Sequence, residues 1–227
     1  MPGRFCQPKG ETVSRVDISG YVVGSYQTNV YVLHRADSSE AVITDPGFYG
    51  NSLVEAVKNR GLNVAAILLT HGHYDHIGAV REVVNLTGAP VYLCETERYL
   101  AGNPQANLSA MHGKPTVVNP DVWLRDGESF TIADMTFRCI ATPGHTEGSC
   151  CYYMEETGTG TPILIAGDTL FRESVGRTDF ATGDETALAL SIRNKLYVLP
   201  DETMVYPGHG SETTIGYEKT HNWSVRA

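Results

Sequence analysis

The chain has 227 residues, 41% hydrophobic and 19% charged, with 17 Lys and Arg against 26 Asp and Glu for a formal net charge of −9. That length suits one large domain, and the composition excludes intrinsic disorder, collagen and coiled coil. An acidic balance without a run of like charges speaks against sequence-independent binding of nucleic acid or an anionic membrane, and no apolar stretch approaches the ~18 residues of a membrane span.

The opening MPGRFCQPKGETVSRV has no apolar h-region, so no secretory signal is expected. The five cysteines, Cys6, Cys94, Cys139, Cys150 and Cys151, suit neither a disulfide framework nor a C-x-x-C metal clip. They read as reduced core thiols of a cytoplasmic protein.

In chain order, Val30–His34 and Ala41–Thr44 are β-rich runs joined by a polar Arg35–Glu40 turn, and Asp45-Pro46-Gly47 stops the second. A helix is expected from about Ser52, with Ser52 and Glu55 at capping-box spacing and Gly61 at C′. Val64–Leu69 reads as a buried strand, followed by a polar cluster and a helix carrying Ile77, Val80 and Val84 that ends near Gly88. Asn103–Asp121 is the least patterned stretch and reads as a loop or lid. Phe130–Ile132 and Phe137–Ala141 form an expected hairpin, and Cys150–Met154, Pro162–Ala166 and Thr203–Tyr206 are expected strands. Ala187–Leu199 places Leu188, Ile192 and Leu196 on one helical face before Pro200, and Thr213–Gly216 starts a closing helix. No Pro/Gly/Ser-rich linker divides this alternation, so 1–227 reads as a single α/β domain.

Polar clusters follow strands four times, at Thr70, Thr142, Gly167 and Pro207. Open α/β sheets gather ligand sites at the carboxyl ends of strands. Five of the eight histidines lie in these clusters. Thr70-His71-Gly72-His73-Tyr74-Asp75-His76 packs three imidazoles and a carboxylate together, the donors that zinc-like divalent ions prefer. His71 and His73, separated by a glycine, suit one ion, while Asp75 and His76 lie a turn further round, where a second would sit. Pro143-Gly144-His145 and Pro207-Gly208-His209 each set a histidine after a tight turn, and Asp168 follows the strand before Gly167. The set His71, His73, Asp75, His76, His145, Asp168 and His209 is too large for one tetrahedral catalytic ion, but two ions sharing Asp168 use all of it. Two divalent cations, two carboxylates and a bridging hydroxide leave about +1 for a developing oxyanion, and metal binding lowers the pKa of water from ~15.7 toward ~7. Hydrolysis of a carbonyl-type bond is the expected chemistry.

These motifs, THGHYDH, TPGHTEGS, AGDTLF and YPGHG, resemble in order the pattern of the metallo-beta-lactamase superfamily, from about Val22 to His209. The resemblance implies a four-layer αβ/βα sandwich, with His71, His73 and His145 on one metal, Asp75, His76 and His209 on the other, and Asp168 bridging. The ions would be zinc, with iron or manganese acceptable to the same donors. Exported lactamases of the common type carry cysteine at the position of Asp168, which argues against an antibiotic substrate.

Within the superfamily, GDTLF, the Gly176-Arg177 pair and the ending GHGSETTIGYEK are similar to short bacterial glyoxalase II, hydroxyacylglutathione hydrolase. That resemblance implies a small-molecule thioester such as S-lactoylglutathione, attacked by a metal-bridging hydroxide. It makes Asp168 and Asp75 the catalytic carboxylates and Arg177 the substrate binder, with an ion pair to Asp179 as the competing role for Arg177. Only segment 210–227 follows His209, where full-length glyoxalase II has a helical glutathione-gripping region. A thiolate leaving group, with pKa near ~8.5, needs no strong general acid. The rival is an iron-dependent persulfide dioxygenase, similar through Gly176-Arg177-Thr178-Asp179-Phe180, which would use His71, His145 and Asp168 alone on glutathione persulfide. A nuclease is disfavoured by the acidic charge. A flavodiiron reductase would carry Glu at position 73 and a downstream flavin domain. Among the remaining residues, Asp45 is a candidate to orient the metal ligands, and His112 to cover the pocket. His34 and His221 read as surface residues, Asn29 and Tyr31 as strand residues, Glu147 and Ser149 as turn-shapers, and Trp123 and Trp223 as packing.

Overall fold

The computed structural model describes residues 13–226. The first sheet runs in the order β1 (Val16–Val23), β2 (Thr28–Arg35), β3 (Glu40–Thr44), β4 (Asn63–Leu68), β5 (Val91–Cys94), β6 (Val122–Leu124). β1 to β3 are antiparallel, and β3 to β6 are parallel. Between them lie helices α1 (Gly50–Asn59), α2 (Tyr74–Ile77), α3 (Val80–Thr87) and α4 (Arg98–Gly102). The second sheet pairs β14 (Thr213–Thr214), β13 (Met204–Pro207), β10 (Ile163–Gly167), β9 (Cys150–Met154), β8 (Met135–Ala141) and β7 (Ser129–Ile132). A small ribbon, β11 (Leu170–Phe171) with β12 (Ser174–Val175), follows β10, and α5 (Glu185–Ser191) and α6 (Ile215–His221) flank this half.

Continuous apolar runs become strands buried on both faces, because successive side chains point to opposite sides. In β2, Val30 and Val32 face the core shared with α1 and α3, while Tyr31 and Leu33 face the other sheet. In β9, Tyr152 and Met154 face the first sheet, and Cys151 and Tyr153 face α5. Three apolar layers thus separate four layers of structure, helices outside and two sheets within. This is the four-layer αβ/βα sandwich that the resemblance implied.

Several local expectations are corrected. α1 begins at Gly50 behind Tyr49 in a left-handed conformation (φ 59°), so Ser52 and Glu55 lie inside the helix and form no capping box. The helix expected across Ile77 to Val84 is two helices, broken at Gly78 and Ala79. Arg35 belongs to β2 rather than a turn; it is buried, and its guanidinium donates to the carbonyls of Ser14, Asp134 and Glu156. The long helix starts at Glu185 with Asp184 as cap and widens to a π-helix over Ile192–Leu196. β1, β5 and β6 were unforeseen. Segment 103–121 is irregular apart from a single 3-10 turn, Ser109–His112. Trp223 is 76% exposed and does not pack, whereas Trp123 lies under the Arg98 guanidinium. Cys94, Cys139, Cys150 and Cys151 are buried free thiols, and Cys6 lies outside the described residues. No helix among the described residues is long and apolar enough to cross a membrane.

Candidate metal centre

β8 and β10 are each antiparallel to β9, and β13 is parallel to β10, so β8, β10 and β13 end on the same side. Loops leaving β4, β8, β10 and β13 carry His71, His145, Asp168 and His209 to one place. The loops are stitched together: Cys150 N donates to Thr70 O, Thr142 Oγ1 pairs with Thr169 Oγ1, and Gly208 N donates to Gly167 O.

The seven donors predicted from sequence converge. His71, His73 and His145 form one group, and Asp75, His76 and His209 another; within each group the donor atoms lie within 4.8 Å of one another. Asp168 stands between them. Its Oδ1 is 3.3 Å from His76 Nε2, and its Oδ2 is 3.6 Å from His145 Nε2 and 3.4 Å from His209 Nε2. His209 Nε2 is 3.2 Å from Asp75 Oδ2, and His73 Nδ1 is 2.9 Å from His145 Nε2.

The outer ring atoms are held from behind. His145 Nδ1 bonds the Arg177 carbonyl at 2.7 Å, and His209 Nδ1 the Tyr26 carbonyl at 3.0 Å. Asp45 accepts from Thr70 N and Thr70 Oγ1 and lies 3.2 Å from His76 Nδ1, as its position after β3 suggested. Thr28 Oγ1 donates to Asp75. Such partners fix tautomer and ring orientation for a metal ligand.

Glu97 was not anticipated. It is fully buried and accepts from Gly72 N at 2.7 Å and from Thr146 Oγ1, joining the loop of His71 and His73 to the loop of His145. Burial pushes its carboxyl up to about 7, opposed by the Gly72 and Thr146 donors. Two glycines permit the close packing. A Cβ on Gly208 would lie 2.2 Å from Asp168 Oδ1, and one on Gly176 would lie 1.9 Å from the Asp168 carbonyl.

The electrostatics divide the histidines. Burial and neighbouring imidazoles hold His71 well below its ordinary value, and burial takes His73 down to about 3. Burial also opposes charge on His76 and His209. The Asp75 and Asp168 carboxylates overcome it at His76, and hydrogen bonds to Asp168 and Asp75 lift His209 to about 9. Asp75 goes down to about 2, its burial outweighed by His76 and His209. Buried imidazole nitrogens at His71 Nε2 and His73 Nε2 find no protein hydrogen-bond partner. Unpartnered buried nitrogens within a set of imidazoles and carboxylates fit divalent cations, for which these are the preferred donors.

A cavity of about 540 Å³ opens over this cluster. His112 lines it, as does Arg177, whose guanidinium forms two bonds to Asp179, at 2.9 and 2.7 Å, and lies over the Phe180 ring. Asn29 and Tyr31 lie outside the cavity, where their side chains bond the Pro207 carbonyl and steady the His209 loop. Ser149 bonds Thr146 and shapes the turn after His145.

The family model described as the metallo-beta-lactamase superfamily matches residues 23–209. The chain belongs to the metallo-beta-lactamase superfamily. Among its relatives in the superfamily, the probable metallo-hydrolase YqgX of Bacillus subtilis is 38% identical over 88% of this chain and 93% of that protein. Hydroxyacylglutathione hydrolase GloC of Haemophilus influenzae is 34% identical over 82% and 87%. Of solved structures, the BLEG-1 B3 metallo-beta-lactamase is 43% identical with a TM-score of 0.85, covering 93% of this chain and all of that one. TTHA1623 in a di-iron-bound form is 35% identical with a TM-score of 0.78, over 90% and 98%. ETHE1 from Myxococcus xanthus is 29% identical with a TM-score of 0.74, over 91% and 83%. With its full donor set, the chain is a metallo-hydrolase-like member of the metallo-beta-lactamase superfamily.

Proposed function

We propose that this protein is a binuclear metal-dependent hydrolase that cleaves small-molecule thioesters in the cytoplasm. The observation that carries the proposal is the pair of complete donor groups with Asp168 between them, at the floor of one cavity. His71, His73 and His145 would hold one ion and Asp75, His76 and His209 the other, zinc being the first choice and iron or manganese acceptable. When bound, two such ions supply a water acidic enough to be hydroxide near neutral pH and positive charge against a developing oxyanion. The chain's own contribution is to fix the donors: Arg177 O, Tyr26 O and Asp45 set the rings, and Glu97 clamps two of the loops. Asp75, whose Oδ2 accepts from Thr28, would act first as a ligand and could also orient the attacking water. Among the described residues the cavity lining holds no carboxyl besides Asp75 and Asp168, and a thiolate leaving group needs no strong general acid. Similarity to GloC supports the thioester reading.

A second reading is an iron-dependent persulfide dioxygenase using His71, His145 and Asp168. Similarity to ETHE1 favours it. Similarity to BLEG-1, named a B3 metallo-beta-lactamase and 43% identical, makes a β-lactam a third substrate to test.

The deciding experiment follows thioester absorbance of S-lactoylglutathione in air-free buffer, with purified protein loaded with zinc, iron or manganese. Turnover that disappears on chelation is the expected result. Oxygen uptake with glutathione persulfide and no thioester loss would establish the dioxygenase instead. Cleavage of a chromogenic cephalosporin alone would establish a lactamase.

A further inference from the structure

The cavity above the donor groups is walled by six apolar or aromatic side chains drawn from separate parts of the chain. Tyr26 comes from the β1–β2 turn, Tyr74 from the start of α2, Leu108 and Met111 from segment 103–121, Phe171 from β11, and Phe180 from the loop before α5. Met111 is 80% exposed and Tyr26 48% exposed, so the apolar surface continues to the mouth. Single exposed apolar residues are unremarkable, but a contiguous set enclosing a cavity marks a binding surface.

The polar groups on these walls are few and already engaged. Arg177 is tied to Asp179 by two hydrogen bonds and covers Phe180, so its charge is matched before any ligand arrives. His112 stacks on Tyr74 at 4.9 Å, nearly parallel, and its Nε2 lies 3.1 Å from the Tyr26 hydroxyl. That pair offers a hydrogen bond to an amide or hydroxyl. A carboxylate placed against these walls would exchange its hydration for at most the Tyr26–His112 pair, or would have to draw Arg177 away from Asp179, a costly exchange.

From this we infer that the cavity selects thioesters whose groups around the scissile bond are apolar and uncharged, an alkyl or aryl acyl chain on a neutral thiol, rather than esters of an anionic thiol such as glutathione. The inference rests on the thioester hydrolase reading and narrows its substrate. The chain or ring would lie along Phe171, Phe180 and Met111, with His112 and Tyr26 facing the polar part of the thiol.

The test compares kcat/KM for acetyl, butyryl, hexanoyl and phenylacetyl thioesters of N-acetylcysteamine, and for the lactoyl esters of N-acetylcysteamine and glutathione, with metal-loaded protein. A rise of about fourfold per methylene is the ceiling that hydrocarbon burial sets. We expect at least tenfold from acetyl to hexanoyl, and the glutathione ester to be the slower lactoyl ester. Met111→Glu lowers the hexanoyl-to-acetyl ratio, while Arg177→Ala leaves the ratio of the two lactoyl esters within about twofold. A flat series, or a glutathione ester that is faster and loses its advantage in Arg177→Ala, overturns the inference and leaves the hydrolase reading intact. Calorimetric titration with two thioethers that cannot be hydrolysed, S-hexyl-N-acetylcysteamine and S-methylglutathione, reads the cavity without turnover. Tighter binding of the hexyl compound supports the inference even if no thioester is cleaved, and tighter binding of the glutathione compound overturns it.

Discussion

Asp168 approaches His76, His145 and His209 within 3.3 to 3.6 Å, so one carboxylate serves both donor groups. Removing it leaves each group short of a ligand and removes a negative charge from among several imidazoles. Asp168→Ala is therefore expected to bind at most one ion per chain and to lose at least ~100-fold in kcat/KM, with an unchanged circular dichroism spectrum. His73→Ala should do the same through the other group; full activity with two ions bound in either variant would sink the two-metal mechanism. Glu97 makes a different prediction because it touches loops rather than ions. In Glu97→Ala the Gly72 N–H loses its acceptor inside the protein, and metal affinity should fall 10–100-fold. Glu97→Gln keeps an acceptor oxygen and should stay within about threefold, as competition with a chromogenic chelator would measure. All seven donors were legible in sequence because each sits in a short polar cluster after an apolar run. Glu97 was not, since Glu95-Thr96-Glu97 reads like any surface acid until the fold buries it.

At the level of elements, the strands that carry the site were legible for the same reason: β4, β8, β9, β10 and β13 are apolar runs bounded by Gly, Pro or polar clusters. β1 was not, because VDISGYVV is a half-buried edge strand interrupted by Ser19 and Gly20. β5 and β6 have four and three residues, too few to show a period. Helix starts failed where the backbone, not a side chain, makes the turn, as at left-handed Tyr49. Segment 103–121, unpatterned in sequence, is held by Asn107. That side chain is buried, donates to the carbonyls of Leu100 and Thr116, and accepts from Ser109 N, while its own carbonyl accepts from Tyr74 N beside Asp75. Asn107→Ala should cost roughly 1–3 kcal/mol, chiefly because Ser109 N loses its acceptor, and loosen Leu108 and Met111 over the cavity. The expected signature is KM raised several-fold with kcat less affected, and faster proteolytic nicking within 103–121. A fall in kcat with KM and protease resistance unchanged would place the effect at the metal centre instead.

For the molecule as a whole, stability, pH and metal are linked through the same histidines. Without metal, His209 is raised to about 9 in the folded protein from 6.5, and His76 is raised in the same direction. A group raised in this way contributes stability that is fully present below its unfolded value and lost as pH climbs through its folded value. The metal-free protein should therefore weaken between pH 6.5 and 9. His73, depressed to about 3, acts on the acid side, where its contribution disappears as pH falls from 6.5 toward 3. Metal binding has the opposite slope on the alkaline side, because ligation must displace the protons on His76 and His209 and so tightens as pH rises. The gap in melting temperature between zinc-loaded and chelator-treated protein should widen from pH 6.5 to 9, each kcal/mol of linkage moving it by about 2–4 °C. Calorimetry in two buffers of different ionisation enthalpy should also detect at least one proton released per chain at pH 7.5. His209→Asn should reduce that release. A gap that stays constant with pH, or a proton count unaltered by the substitution, would mean that metal binding displaces no proton from His209 and would overturn this linkage.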